Sequence, residues 1–272
     1  MLAEISETDA TGEIAHIFEE IRQLGGVPYV SAIYRHLATR NGLLEWAWEA
    51  VGPAFRNGSA QEAAWRGATN LALAPLDRIS QDALSVWSVD NEALATVKAV
   101  TESFMRVSPV NMMFAGLVKA LLEGRSRGGG SMPAAPWLPP ASLPVPPSMV
   151  APEGLDQASH GVLMQFSQPT GATPFVPGLY RMLAHWPGLL AHLATVLVPR
   201  LASTEVTAAC DHIRARIDAT LPDVLAGLPA TQPMRPFPAQ AERTHFLSIG
   251  GTYRKTSPEL VVLCRLIRDA LP

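Results

Sequence analysis

Apolar residues fall at helical spacing along most of this chain. Ile14, Ile17, Phe18, Ile21 and Leu24 recur three and four residues apart, and Gly25-Gly26 ends the run. Pro28 sits where a first-turn proline belongs, so a helix is predicted from it to Asn41-Gly42. Another spans Leu43 to Phe55 and closes at Asn57-Gly58. Ser59-Ala60-Gln61-Glu62 reads as a capping box opening a helix to Ala74, before Pro75. Helical stretches follow over 80–88 and 91–105. Ser108, as N-cap, and Pro109 then open a helix to about Gly124.

After a Pro- and Gly-rich interval the same order returns. Helices are predicted over 155–167, from Pro174, over 188–201 and over 204–219. Pro229 to Pro238 then precedes two final helices, the last capped by Ser257. Leu260-Val261-Val262-Leu263 alone would pass for a buried strand, but the Ser-Pro-Glu start before it favours helix. No segment alternates as a half-buried strand does, so the predicted class is all-α.

The recurrence extends to residue identity. Val27 to Leu44 and Thr173 to Leu190 align without gaps, and nine of 18 positions are identical: Pro, Val, Tyr, Arg, Leu, Ala, Gly, Leu and Leu. Ser108-Pro109 and Ser257-Pro258 recur at nearly the same offset. The chain therefore reads as two tandem helical repeats, 1–124 and 153–272, forming a pseudo-dimer with a cleft between them. Residues 125–152 hold three consecutive glycines and eight prolines and read as an extended linker. The repeat is far too long for a solenoid.

Composition narrows the function classes. Charged residues make up 17% of the chain, against about 25% in typical domains. A surface this sparsely charged suggests extensive burial, a homodimer interface, or both. A net charge of −3 without a basic cluster argues against nucleic acid. No apolar run reaches the roughly 18 residues of a spanning helix, so no membrane partner is expected. Met1 to Ile5 has neither the basic nor the apolar region of a signal peptide. Cys210 and Cys264 fit buried thiols in a reducing cytoplasm and form no CxxC motif. No histidine pair has helical ligand spacing, so no metal site is predicted; His185 and His192 flank a Trp-Pro break, and Cys210 with His212 is a lone proximity. Tyr34-Arg35 and Tyr180-Arg181 recur in both halves. They are either paired anion anchors or structural arginines, each serving its own half.

Several short motifs carry a resemblance. These are Asp9-Ala10-Thr11-Gly12-Glu13-Ile14, Phe18-Glu19-Glu20-Ile21-Arg22, Val27-Pro28-Tyr29-Val30, Leu37-Ala38-Thr39 and Leu183-Ala184-His185-Trp186-Pro187. Together with the Ser108-Pro109 helix start, they resemble the group I 2-haloacid dehalogenase family. The resemblance implies an all-α pseudo-dimer whose active site lies between the repeats. It implies hydrolysis in which an aspartate activates a water, an asparagine helps hold it, and halide leaves C2 of a small acid. It implies no cofactor, organic or metallic.

Carried onto this chain, the family's base position falls on Leu179, five residues before Ala184, and its asparagine position on Ser108. No Asp or Glu occurs between Asp156 and Glu205. Asn111, one turn after Ser108, could reach the place of the family asparagine. The resemblance also assigns Tyr29, Ala32, Phe175 and Gly178 to the substrate wall. Three readings stay open at this point. One is a hydrolase of carbon–halide bonds using another base. The second is a non-catalytic binder of a small organic acid. The third is a chiefly structural or oligomeric role.

Overall fold

A computed structural model describes residues 3–130, 137–170, 173–231 and 233–272. The first half holds α1 (Gly12–Gly25), α2 (Ala32–Leu37), α3 (Leu43–Arg56), α4 (Ser59–Gly67), α5 (Gln81–Val86) and α6 (Asn91–Leu122). The second holds α7 (Gln157–Met164), α8 (Gly178–Leu183), α9 (Pro187–Leu201), α10 (Thr204–Ala226) and α11 (Gln240–Ala270). A two-stranded antiparallel hairpin, β1 (Gln168–Thr170) and β2 (Thr173–Phe175), pairs Gln168 with Phe175 and Thr170 with Thr173. The fold is all-α apart from this hairpin. No single described helix is long and apolar enough to cross a membrane. The pair α9–α10 has the length and composition to do so only as a unit bent by 77°.

Helix α1 ends as its sequence demands. Gly26 takes φ 59°, a left-handed value that glycine adopts at little cost, and its N–H closes on the carbonyls of Arg22 and Gln23. The prolines behave differently from expectation. Neither Pro28 nor Pro174 opens a helix: Pro28 precedes α2 by four residues, and Pro174 lies in β2. Helices α2 and α8 instead begin at Ala32 and Gly178, 146 residues apart, and each is six residues long.

Ser108 and Ser257 are not caps either. Each lies inside a continuous helix, α6 or α11, with Pro109 or Pro258 next to it. An interior proline removes one helical hydrogen bond and costs about 3 kcal/mol. Both positions are buried in the packing of α6 along α11, and that burial outweighs the local cost. Side chains also serve the carbonyls one turn before each proline. Trp65 Nε1 donates to the Arg106 carbonyl at 2.9 Å, and Arg214 Nε to the Arg254 carbonyl at 3.4 Å.

The expected capping box fails as well. The residue before α4 is Gly58, with φ 78°, and Ser59 Oγ donates back to the Ala54 carbonyl at 3.2 Å. A Cβ at Gly58 would lie 2.3 Å from the Trp137 ring, so packing as well as φ requires glycine. Helix α4 stops at Gly67 rather than Ala74, because Asn70 turns into the left-handed region at φ 58°. The chain then runs without helix to Ser80, tied to the second half by Arg200 Nη1 on the Ala74 carbonyl at 2.6 Å.

The described part of residues 125–152 is a strap held to both halves; 131–136 lie outside the described residues. Trp137 faces Trp65 at 6.4 Å and donates to Glu62 at 3.1 Å. Arg106 Nη1 donates to the Ala141 carbonyl at 2.8 Å, and Leu143 N–H to the Gly26 carbonyl at 3.1 Å. At the far end Arg181 Nε donates to the Val150 carbonyl at 2.9 Å, and Val150 N–H returns a bond at 3.2 Å.

Helix α2 closes on α11 through two imidazoles. His36 Nδ1 is 2.7 Å from the Ala3 carbonyl, and its Nε2 is 2.8 Å from His245 Nε2. The carbonyl can only accept, so His36 donates from Nδ1 and accepts from His245 at Nε2. Arg40, paired with Glu242 at 2.7 Å, lies beside them. Burial first, then His36 and Arg40, hold the His245 imidazole below its ordinary pKa, with Glu242 acting the other way. An imidazole held low in the fold takes up protons more readily once unfolded. It therefore contributes stability above about pH 6.5 that is lost as pH falls through the folded value. The thermal midpoint is expected to drop between pH 7.5 and pH 5.5, and to drop less in His245→Gln, as read by circular dichroism. Equal drops in the two proteins would refute a role for this pair.

Candidate functional site

A small cavity opens beside the loop that joins α1 to α2. Its volume is about 20 Å³, room for one water-sized group. Gln61 from α4, Asn111 from α6, Tyr34 from α2 and Phe55 from α3 form its buried floor. Tyr29, Ser31 and Arg106 stand at its half-buried rim. The repeat of apolar residues in α1 delivers Ile21 and Leu24 to the same wall.

Each polar group has a traceable anchor. Gln61 is 1% exposed, and its Nε2 donates to the Phe55 carbonyl at 2.9 Å and the Leu24 carbonyl at 3.3 Å. Its Oε1 is buried and has no hydrogen-bond partner among the described residues. The Tyr29 hydroxyl is likewise buried and unpartnered among them. Burial pushes its phenol far above the ordinary range, so Tyr29 stays protonated and remains a donor. The Val27–Val30 turn that carries it is pinned by Glu7, which accepts from Val30 N–H at 2.9 Å and pairs with Arg22 at 2.6 Å. Arg106 is fixed at the rim by its Nη1 bonds to Gly26 and Ala141.

The Tyr29 ring packs beside α6. It lies 6.2 Å from Phe104. A Cβ at Gly178 would approach the Met149 sulfur to 2.9 Å and Phe104 to 3.6 Å. Glycine at 178 thus admits the strap and α6 against the start of α8.

The seven residues expected at the site are divided by the structure. Tyr29 and Asn111 line the cavity. Ser108 is 1% exposed inside α6 and is not among its walls, nor is Leu179, which is fully buried in the core. Gly178 lies outside the lining, beside Phe104 and Met149, while Ala32 and Phe175 are half-buried away from it.

The arginine pairs have structural partners. Arg35 pairs with Glu4 at 2.7 Å, and Arg181 holds the strap at Val150. Tyr34 packs 4.7 Å from Phe114, and Tyr180 stacks on Phe166 at 3.9 Å.

Other titratable groups lie elsewhere. His192 stacks on Trp87 at 4.8 Å, and burial lowers its pKa. His185 sits 2.9 Å from the Ser148 carbonyl. Burial pushes the Cys210 thiol up to about 12 and the Cys264 thiol higher still, so neither is a ready nucleophile. No group of three His, Cys, Asp or Glu among the described residues could hold a metal ion.

Sequence reasoning passed over Gln61 and Arg106. Gln61 carried a readable signal, since it stands among Ala60, Ala63 and Ala64, which face the core.

No family model matches the chain. An (R)-2-haloacid dehalogenase of Pseudomonas putida is 25% identical over 230 residues, covering 80% of this chain and 74% of that enzyme. A solved D-2-haloacid dehalogenase complex with L-LA superposes with a TM-score of 0.75 at 20% identity, over 99% of this chain and 96% of that one. A mutant D-2-haloacid dehalogenase with D-2-CPA gives 0.73 at 20% identity, over 99% and 95%. The chain is similar in sequence to a 2-haloacid dehalogenase and shares the all-α fold of the solved ones. Its departures from the family's motifs now have physical addresses. Leu179, expected at the family's base position, lies in the core, and Ser108, expected at its asparagine position, is sealed within α6.

Proposed function

We propose that this dehalogenase-like chain is a pseudo-symmetric binder of a small organic acid and does not hydrolyse it. One observation carries the reading: the cavity lining among the described residues contains no Asp, Glu or His. Water is a poor nucleophile, and displacing halide with it needs a positioned base. What the walls do offer is a cationic rim at Arg106 beside neutral donors and acceptors, which suits a carboxylate with a small polar substituent. The even spacing of α2 with α8, and of α6 with α11, 149 residues apart at their starts, supports the pseudo-dimer. The two buried free thiols support a reducing, cytoplasmic setting.

The test is halide release from racemic 2-chloropropionate and 2-bromopropionate by the purified protein, against a heat-inactivated control. Background release is expected, with an upward shift in thermal midpoint on adding either acid. Release at enzymatic rates would overturn the reading.

A further inference from the structure

The strap presents an ordered apolar ridge to solvent. Along it the half-buried, inward positions recur every third residue, at Trp137, Pro140, Leu143, Pro146 and Met149, and an exposed pair follows each of the first three. Three residues per turn is the period of a polyproline II helix. Bonds at Trp137, at the Ala141 carbonyl and at the Leu143 N–H hold the strap to the body, so the outward ridge is fixed in advance. That ridge carries Leu138 at 85% exposure and Val145 at 78%, with Pro139 and Pro144, which offer carbonyls and no N–H. No charged residue occurs from 128 to 152.

A groove of about 420 Å³ lies elsewhere, between the start of α3 and residues 235–239, which lead into α11. Trp46 and Phe237 stand in it at 89°, their ring centres 5.5 Å apart, beside Pro236 and Pro238. Glu49 fixes the far wall by accepting from Met234 N–H at 2.6 Å. The charged lining residues are already matched, Glu242 with Arg40 and Arg235 with Glu13, so the groove suits an uncharged occupant. Donors remain for its carbonyls. The Asn41 amide has no partner among the described residues, and Arg235 engages Glu13 through Nη2 alone. Aromatic walls with such donors are what recognises a polyproline II ridge. Within one chain the two do not meet, because no strap residue lines the groove.

We infer that the strap of one copy seats its Leu138–Val145 ridge in the Trp46–Phe237 groove of a second copy. Two-fold pairing makes this contact twice. A ridge already ordered on its own chain loses little conformational freedom on docking. The inference is independent of the small-acid reading.

Light scattering behind size-exclusion chromatography, on the intact protein across the micromolar range, tests it. The mass is expected to double with concentration. Leu138→Glu with Val145→Glu changes only exposed side chains, and Phe237→Ala a half-exposed one, so both variants should keep the parent's circular dichroism. Each is expected to weaken association by about tenfold or more. Mixing the two variants should restore a heterodimer, because the intact strap of one meets the intact groove of the other. A parent that stays monomeric would overturn the inference. So would a dimer that survives either variant, or a mixture that stays monomeric while the parent associates.

Discussion

Leu179→Asp is expected to destabilise the protein by roughly 3–5 kcal/mol without creating a dehalogenase. Leu179 is the second residue of α8 and is fully buried. The substitution removes apolar burial and puts a carboxyl where no water reaches. Such a group resists ionisation, so its pKa rises and it stays protonated near neutrality. A carboxyl with a raised folded pKa binds protons better in the fold than when unfolded. Stability of the variant should therefore fall as pH rises above about 4, opposite in sign to the His245 effect. Urea unfolding at pH 5 and pH 8 reads that slope directly. Halide release should stay at background, because residue 179 does not line the cavity. A variant that is as stable as the parent and releases halide would show that α8 turns residue 179 toward the ligand.

The outline of this fold was legible because local and global signals agree there. The apolar spacing in α1 and its Gly26 stop are local facts, and the element runs Gly12–Gly25 as that pattern requires. Helices α2 and α8 start 146 residues apart, at the offset read in the sequence. Proline was misread wherever tertiary packing decides. Ser108-Pro109 has the local chemistry of a helix start, yet α6 runs through it, because 32 residues of helix buried against α11 outweigh one missing hydrogen bond. The strap was invisible for a different reason. Its bonds use backbone carbonyls of residues 141, 148 and 150, which no side-chain pattern announces. At the site, Asn111 was found through its spacing from Ser108. Gln61 was missed because Ser59 and Glu62 drew it into a capping motif, while its true neighbours, Leu24 and Phe55, lie on other helices.

Phe114→Ala is expected to cost about 3–5 kcal/mol, a large part of the roughly 5–15 kcal/mol that holds a typical protein folded. Phe114 lies on α6 one turn beyond Asn111 and is fully buried. Its ring meets Tyr34 of α2 at 4.7 Å, Phe55 of α3 at 6.2 Å and Phe246 of α11 at 6.3 Å. Four helices from both halves therefore share one aromatic cluster, and none can collapse into the space without moving another. The cavity should stay open, which places the cost at the upper end of large-to-small substitutions. Two of those partners, Tyr34 and Phe55, also floor the cavity, so the loss should reshape it. Scanning calorimetry should show one transition lowered by roughly 10 °C. Phe237→Ala, at a 52% exposed ring, should shift it far less. A Phe114→Ala scan that splits into two transitions would mean that the halves unfold separately and that this cluster, rather than the α6–α11 packing as a whole, makes them one cooperative body.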